Sequence, residues 1–367
     1  MNTLSKMDKV LLASLASLAV LGIFTLYAAV HHGDITIWQK QNLFWLLGML
    51  SFMTVCFIPL RTIGLMTWPL YLIALLFLMM VPFIGDIQMG ARRWLDLGII
   101  YLQPSELMKW TLIFLLAHWF ASREPANLIS FSAALVATLL PAALIVIQPD
   151  LGTALVLLLA ACAMLLVSGI RWRWIFAAIA TSPVCLYLLW NNMHTYQKNR
   201  VLSFLDPQSD PLGAGYHVIQ AGIAIGSGGI FGKGFLEGTQ ARLHFLPEQH
   251  TDFIFAVLAE EGGLIAVLLL LALYGTLISR ILIIASRAHT RFGSLLCVGI
   301  ASIFMLYIFV NIGMVSGMLP VVGVPLPFIS YGGSSLVTML AALGIVMRVA
   351  IESKDKIPWQ RPGSPLS

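Results

Sequence analysis

The segment 247–261, PEQHTDFIFAVLAEE, sets several carboxylates and a histidine against the start of a long apolar run. Only 16 of the 367 residues are acidic, and a charge at the centre of a bilayer costs about 2.5–3.5 kcal/mol or more. A carboxylate at the lipid–water boundary, such as Asp252, can accept a proton from a sugar hydroxyl or hold a divalent cation. The structural alternative is that Thr251 caps a helix and Asp252 lies in its first turn, where the macrodipole favours an anion.

Glu260 and Glu261 lie two helical turns further along the same apolar run. On a continuous helix, Glu260 shares a face with Asp252, about 12 Å away along the axis. An isolated charge is unfavourable in lipid, so pairing with basic residues of other spans would stabilise these two glutamates. An internal ion pair is therefore favoured over a catalytic role for them.

Two adjacent arginines, Arg92 and Arg93, stand beside Trp94 in the stretch GARRWLDLG, residues 90–98. Arginine presents a planar fork of donors that matches phosphate oxygens, so the pair could clamp an anion such as pyrophosphate. Structural ion pairing explains the same residues equally well, and both alternatives stay open on the sequence alone.

The stretch QPSELMK, residues 103–109, opens another apolar run. Proline is favoured in the first turn of a helix, so the pattern predicts a helix that begins at Pro104 or Ser105. Glu106 and Lys109 are then i, i+3 neighbours on one helix face and can form an ion pair.

Two other motifs have structural explanations. Asp150, in the tight turn QPDLGT, is best explained as the N-cap of the next helix. The stretch GSGGIFGKG, residues 226–234, is not a Walker A phosphate loop, because Gly234 replaces Ser or Thr and no strand precedes it. We expect a flexible loop that carries Lys233.

Three histidines have no ligand-like spacing, which argues against a zinc site: His217, His244 and His250.

The composition indicates a membrane protein. Hydrophobic residues make up 59% of the chain and charged residues 10%, whereas soluble domains carry about 25% charged residues. The apolar runs are continuous rather than alternating, which predicts an all-α, polytopic integral membrane protein and not a β-barrel. We expect one domain, residues 1–351, with about ten transmembrane helices and a short cytoplasmic tail, residues 352–367. The predicted spans are 10–30, 42–58, 64–84, 104–121, 129–147, 151–168, 174–191, 251–279, 294–318 and 334–351.

An even number of spans places both termini on one side of the membrane. With both termini in the cytoplasm, 13 Lys and Arg residues lie inside and 8 lie outside, in agreement with the positive-inside rule. The outside basic residues gather in 85–109 and 198–261, which an anionic substrate would explain. Alternatively, the large extracytoplasmic loop predicted at 192–250, between spans 7 and 8, crosses the membrane regardless of charge. The net charge of +5 does not suggest a nucleic-acid partner.

Six ordered motifs resemble the SEDS family (shape, elongation, division and sporulation). The resemblance runs from about Lys6 to Arg348, nearly the whole chain. The stretch Asn311–Pro327 is similar to the elongation members of the family. The six motifs are GARRWLDL at 90–97, QPSE at 103–106, QPDLGT at 148–153, DPLGAGYH at 210–217, PEQHTDFIF at 247–255 and PLPFISYGGSS at 325–335.

The resemblance implies a peptidoglycan glycosyltransferase of cell elongation that polymerises lipid II on the outer face of the cytoplasmic membrane. It implies that Asp252, in the His-Thr-Asp motif, is the catalytic residue. Lipid II carries its own pyrophosphate leaving group, so no nucleotide is required. The expected substrate-binding residues are Arg92, Arg93, Glu106, Lys109, Lys233, Arg242 and His250. The expected structural or supporting residues are Asp150, Glu260 and Glu261.

Asp252 either deprotonates the acceptor 4-hydroxyl or orients it through a divalent cation, Mg²⁺ or Mn²⁺. The implied partners are membrane lipid, a class B penicillin-binding protein, which is a single-span transpeptidase, and other membrane proteins of the elongation complex. Spans 294–318 and 334–351 are candidate docking surfaces, with Gly313 and Gly317 admitting a close helix; packing inside the bundle is the alternative. A lipid II flippase and a non-catalytic scaffold are the rival functions, and the few charges at mid-span argue against the flippase.

Overall fold

A computed structural model describes most of the chain. It describes residues 3–88, 91–96, 98, 101–123, 127–193, 198, 202–204, 206, 214–242 and 248–354. Some residues and segments discussed above lie outside this described part, namely Gly90, Leu97, Asp210–Gly213, His244, Pro247 and the tail from residue 355.

Long helices dominate the described residues. The helices are α1 Lys9–Val30, α2 Thr36–Phe57, α3 Leu60–Ile84, α4 Pro104–Ser122, α5 Leu128–Ile147, α6 Leu151–Ser168, α7 Trp172–Asn192, α8 Ala214–Gly228, α9 Thr239–Arg242, α10 Ile254–Ser286, α11 Arg291–Val315 and α12 Gly333–Lys354, with a short 3-10 helix at Thr3–Lys6.

Seven of these helices are long and apolar enough to cross a membrane: α1, α3, α5, α6, α10, α11 and α12. The other predicted spans coincide with α2, α4 and α7, which have 22, 19 and 21 residues. The multi-pass helical architecture is therefore confirmed, while the number of crossings stays a prediction. Among its described residues, the segment predicted as an extracytoplasmic loop contains the 15-residue helix α8 and the four-residue helix α9.

The last two helices form the interior of the bundle. In the apolar windows of α11 and α12, 72% and 67% of the residues are buried, more than in any other candidate span. Gly299 lets α11 approach α4, because a Cβ there would lie 2.4 Å from Ile113 Cγ2. Gly344 lets α12 approach α2 in the same way, 2.7 Å from the carbonyl oxygen of Phe52.

Gly313 and Gly317 do not form the predicted small-residue docking face, although α11 does expose Met305 and Phe309 on its outer side. Gly313 is buried, and a Cβ there would lie 2.7 Å from Leu319 Cδ1, so the chain fills this space itself. Gly317 lies beyond the end of α11 with φ +73°. The two glycines therefore do not form a small-residue face on one helix, and packing inside the chain explains them.

One end of the bundle joins α1, α10 and α12. Asp8 caps α1 by accepting from the Leu11 N–H at 3.0 Å, and it accepts from the Arg280 guanidinium at 2.6–3.0 Å. Lys354 donates to the carbonyl oxygen of Lys6 at 2.7 Å. Burial alone would raise the pKa of Asp8, but the hydrogen bonds from Arg280 and Leu11 outweigh it and hold the pKa below its usual value.

A small antiparallel sheet at the opposite end departs from the purely helical prediction. Its strands are β1 Asp86–Gln88, β2 Ala91–Asp96 and β3 Tyr101–Leu102, in the order β1-β2-β3. Successive side chains of a strand point to opposite faces. Arg92 and Arg93 are neighbours on β2, so the sheet turns them away from each other.

The helix α10 is broken near its start. Gly263 has φ 64° and ψ −163° inside α10, a conformation that is essentially restricted to glycine. The break lets α8 pack against the first part of α10, where a Cβ at Gly228 would lie 2.0 Å from the carbonyl oxygen of Ala259. This arrangement positions Glu260 and Glu261 beside the glycine-rich segment that follows α8.

Candidate active site

Asp252 lies in a turn that precedes α10, and not in the first turn of the helix. Glu248 has a left-handed φ of 49°, and its carbonyl oxygen accepts from the N–H groups of Thr251 and Phe253 at 3.1 and 3.4 Å. The Thr251 hydroxyl also donates back to Glu248. Phe253 occupies the N-cap position and makes no side-chain capping bond. The predicted Thr251 cap is therefore wrong, because Thr251 is used inside the turn.

Three successive carbonyl oxygens of this turn accept hydrogen bonds from residues between positions 311 and 331. The His250 oxygen accepts from the Tyr331 N–H at 2.8 Å. The Thr251 oxygen accepts from Ser330 Oγ at 2.6 Å, and the Asp252 oxygen accepts from Asn311 Nδ2 at 3.0 Å. The backbone on both sides of the partly exposed Asp252 side chain is thus fixed.

The donors belong to α11 and to the segment 316–332, which we call the Pro-rich loop. Gln41 of α2 anchors this loop: its Nε2 donates to the Ser330 oxygen at 3.1 Å, and its Oε1 accepts from the Gly332 N–H at 3.2 Å. Tyr274 of α10 donates to the Pro327 oxygen at 2.6 Å. Neither Gln41 nor Asn311 is predicted as a site residue. Asn311 stands out as an amide among apolar neighbours, whereas Gln41 lies in the polar stretch QKQN, residues 39–42, and has no such signal.

The Asp252 carboxylate rests against a glycine of the Pro-rich loop. A Cβ at Gly323 would lie 3.3 Å from Asp252 Oδ2, and Gly323 has φ +72°. Glycine is required here both for this backbone conformation and for the close approach.

His250 is partly exposed beside the same turn. Its Nε2 lies 3.9 Å from Glu248 Oε2, and its ring packs near that of Tyr331. Burial lowers the pKa of His250, and the negative charges of Glu248 and Asp34 only partly offset this.

The predicted ion pair between Glu106 and Lys109 is confirmed, with 2.6 Å between Lys109 Nζ and Glu106 Oε1. The helix α4 begins at Pro104, as predicted. Both charged side chains are almost completely buried, at 5% and 1% exposure. A third partner was not predicted: Tyr307 of α11 donates to Glu106 Oε1 at 3.1 Å, and Lys109 Nζ lies 4.3 Å from the Tyr307 ring centroid.

The Glu106–Lys109 pair lies close to the Asp252 turn. Tyr307, which contacts the pair, and Asn311, which contacts Asp252, are four residues apart on α11. Four residues of an α-helix span about 6 Å along its axis. The two clusters are therefore supported by the same turn of the same helix.

Asp150 caps α6, as predicted. Its carboxylate accepts from the Thr153 N–H at 3.2 Å and from the Thr153 hydroxyl at 2.8 Å. Gln103, just before α4, donates to the same carboxylate at 3.2 Å. A Cβ at Gly152 would lie 2.5 Å from the Val322 oxygen, so the start of α6 packs directly against the Pro-rich loop.

The two arginines of β2 have separate partners. Arg93 donates through Nε to the Gln148 oxygen at 3.3 Å and through Nη2 to the Pro149 oxygen. Arg92 is exposed and donates to the Pro82 oxygen at 3.1 Å. The structure does not bring the two guanidinium groups together into one clamp, because neighbours on a strand face opposite ways.

Glu260 is completely buried and has several donors. It accepts from Lys233 Nζ at 2.6 Å, from the Thr239 N–H at 2.8 Å and from the Gln240 N–H at 3.0 Å. The predicted internal ion pair is thus confirmed, although its cation comes from the glycine-rich segment and not from another span. Because the Lys233 ammonium is held by Glu260 and Thr239, the geometry favours a structural role for Lys233 over substrate contact.

The glycine-rich segment is docked along α10, which corrects the expectation of a flexible loop. Its backbone donates from Lys233 to the Glu260 oxygen at 3.0 Å and from Gly234 to the Glu261 oxygen at 3.1 Å. Just after this segment, a Cβ at Gly238 would lie 3.2 Å from Glu261 Oε1, so the following residues also pack on this second carboxylate. Arg242 ends α9 and is exposed.

In the described residues, Asp252 does not belong to a cluster of metal-ligating side chains. In the described part of the chain, no group of three or more His, Cys, Asp or Glu side chains could hold a metal ion. Mg²⁺ is commonly held by one or two carboxylates together with substrate phosphates and water. Asp252 alone could supply one such ligand.

Known proteins match this chain over almost its whole length. MrdB of Escherichia coli K12, a peptidoglycan glycosyltransferase, is 46% identical over 351 residues, which cover 95% of this chain and 94% of that protein. A probable peptidoglycan glycosyltransferase FtsW of Geobacter metallireducens is 35% identical and covers 96% of this chain and 97% of its own length.

Two solved structures share the fold. A chain from a peptidoglycan synthase complex, described for its structural coordination of polymerisation and crosslinking, superposes with a TM-score of 0.83 at 33% identity, covering 95% of this chain and 98% of that chain. RodA, a rod shape determining protein of Thermus thermophilus, superposes with a TM-score of 0.73 at 32% identity, covering 95% of this chain and 98% of that chain. The model of the cell cycle protein family that groups FtsW, RodA and SpoVE matches residues 6–355. The chain belongs to this family.

Proposed function

We propose that this chain is a peptidoglycan glycosyltransferase that polymerises lipid II into β-1,4 glycan strands during cell elongation. The observation that carries the proposal is the Asp252 turn: a partly exposed carboxylate whose own carbonyl oxygen and those of the two preceding residues are all hydrogen-bonded. Catalysis needs such fixed geometry around the reacting group. The names of relatives at 46% and 35% identity support the same activity.

In the proposed mechanism, Asp252 is the general base. Its carboxylate takes the proton from the 4-hydroxyl of the acceptor sugar, and the oxygen attacks the anomeric carbon of the donor. The bond to the lipid-linked pyrophosphate breaks, and in-line attack converts the α-linkage of the donor into a β-linkage. The pyrophosphate leaves with the bonding electron pair, so no nucleotide takes part.

The exposed Arg92 and the buried Glu106–Lys109 pair have distinct proposed roles. Arg92 is the exposed arginine of β2 and is available to the pyrophosphate at the membrane surface. The buried Glu106–Lys109 pair supports the turn of α11 that holds Asp252. We assign Arg93, Asp150, Lys233, Glu260 and Glu261 to the supporting frame, and Arg242 and His250 to the rim of the site.

We propose that both termini lie in the cytoplasm and that the Asp252 end faces outward from the cytoplasmic membrane. The excess of Lys and Arg on the opposite side supports this orientation. The proposed single domain is residues 1–351, with a short cytoplasmic tail after it. Asp252 is the residue that would hold a divalent cation, Mg²⁺ or Mn²⁺, which would stabilise the negative charge of the leaving pyrophosphate, and no step of the mechanism depends on it.

The proposed partner is a class B penicillin-binding protein that crosslinks the new strands, together with other membrane proteins of the elongation complex. The structural relative from a peptidoglycan synthase complex supports a crosslinking partner. On α11, the exposed Met305 and Phe309 form an apolar surface that is available for docking, whereas α12 is mostly buried.

The test is polymerisation by the purified protein with lipid II in detergent, without a bilayer. We expect glycan strands from the wild type and none from Asp252→Ala. A flippase would make no polymer under these conditions, because it only moves lipid II between leaflets. A scaffold would give the same result for both proteins, so equal product from Asp252→Ala would end the proposal.

A further inference from the structure

We infer that Asn311 is a positioning residue that holds the Asp252 carboxylate in its reactive place. Its Nδ2 donates to two carbonyl oxygens, that of Asp252 at 3.0 Å and that of Val324 at 2.7 Å. The amide therefore ties together three separate parts of the chain: α11, the Asp252 turn and the Pro-rich loop. This inference rests on the proposed function of Asp252.

The burial of Asn311 makes this link rigid. The side chain is completely buried, at 0% exposure, and both acceptors are main-chain oxygens, which fixes the orientation of its amide. Nδ2 makes both hydrogen bonds of this buried side chain, whereas Oδ1 has no partner among the described residues. Asn311 is thus held by its two acceptors and holds them in turn.

The geometry leads directly from Asn311 to the carboxylate. Val324 follows Gly323, and the Asp252 carboxylate rests against Gly323, where a Cβ would lie 3.3 Å from Oδ2. By binding the Asp252 and Val324 oxygens at once, the Asn311 amide sets the distance between the aspartate and the glycine that seats it. A change at Asn311 therefore moves the carboxylate relative to its seat without touching the substrate.

The experiment compares Asn311→Asp with the wild type in the lipid II polymerisation assay. Aspartate has nearly the same shape, but even its protonated carboxyl donates only one hydrogen bond, so at least one of the two carbonyl oxygens loses its donor. A misplacement of about 1 Å can cost about 100-fold in rate, so we expect kcat to fall by about 10- to 100-fold. The Kd for lipid II, measured with the same detergent-purified protein, should stay within about twofold, because Asn311 acts through Asp252.

Ser330→Ala tests the same link with a smaller disturbance in case Asn311→Asp does not fold. Ser330 Oγ donates to the neighbouring Thr251 oxygen at 2.6 Å. We expect its kcat to fall in the same direction, by a smaller factor. Ser302→Ala is the matched control, because Ser302 also lies on α11 and, among the described residues, its hydroxyl bonds within that helix alone, to the Val298 oxygen at 2.9 Å.

The outcomes separate the inference from the function on which it rests. Wild-type kcat in a folded Asn311→Asp variant, with Asp252→Asn inactive, contradicts positioning but not catalysis by Asp252. If Asn311→Asp loses activity only in proportion to its loss of monodisperse folded protein, the role of Asn311 is structural and the positioning inference is contradicted as well. Full activity of Asp252→Asn contradicts the proposed function itself.

Discussion

The Lys233 ammonium lies 2.6 Å from the carboxylate of the fully buried Glu260, and this contact joins the glycine-rich segment to the broken start of α10. A buried carboxylate needs hydrogen bonds on all sides, and the Thr239 and Gln240 N–H groups complete the set. The segment after α8 is therefore held by a charge as well as by its backbone.

Lys233→Met should destabilise the protein by about 3–5 kcal/mol, because it leaves the Glu260 carboxylate buried without its cation. The double variant Lys233→Met with Glu260→Gln should lose less than the sum of the two single changes. Thermal or chemical unfolding in detergent measures this cycle. Glu237→Gln, an exposed carboxylate nearby, is the control. Strictly additive losses would show that the pair contributes no coupling.

Tyr307→Phe tests the support of the Glu106–Lys109 pair. The change removes only the hydroxyl that donates to Glu106 at 3.1 Å and keeps the ring under Lys109 Nζ. The loss of a hydrogen bond to a charged group should cost about 1.5–3 kcal/mol of stability. Tyr307→Leu should cost more, because the cation–π contact is lost as well. If Tyr307→Phe is as stable as the wild type, the Tyr307 hydroxyl does not stabilise the Glu106–Lys109 pair.

Arg92 and Arg93 should behave differently when each is replaced by alanine. Arg93→Ala removes contacts to the Gln148 and Pro149 oxygens, so stability should fall by about 1.5–3 kcal/mol. Arg92→Ala should leave stability nearly unchanged and weaken lipid II binding, because its guanidinium is exposed. Unfolding in detergent and lipid II titration separate the two effects. Unchanged lipid II affinity in both variants would exclude this strand from pyrophosphate binding.

The Asp8–Arg280 pair should make stability depend on pH. The pKa of Asp8 is lower in the folded protein than in the unfolded chain, so its contribution is complete above the unfolded pKa of about 4. It is lost as the pH falls through the lower folded value. Asp8→Asn should therefore be less stable than the wild type at pH 7, and the two should converge below about pH 4. A constant difference across this range would contradict the assignment.

The local predictions succeeded where a short segment contains its own partners. The Glu106–Lys109 pair is one helical turn long, and the Asp150 cap needs only Thr153, three residues away. Apolar runs predicted the long helices for the same reason, since length and hydropathy are local properties.

The remaining features depend on contacts between distant segments. Asn311 and Asp252 are 59 residues apart, and Glu106 and Tyr307 are 201 apart, so no local pattern indicates either contact. The sequence predicts a start of α10 at Thr251, because Thr followed by Asp is a typical capping sequence. In the folded chain, the left-handed Glu248 and the hydrogen bonds from Asn311, Ser330 and Tyr331 hold this segment in a turn instead.

The most direct test of the central claim is the polymerisation rate of Asp252→Asn with lipid II. Asparagine keeps the size of the side chain and its ability to accept a hydrogen bond, but it cannot take the proton of the acceptor hydroxyl. A general base contributes about 10²–10⁴-fold, so the rate should fall by at least about 100-fold while lipid II still binds. A folded Asp252→Asn protein that polymerises lipid II at the wild-type rate would contradict the account.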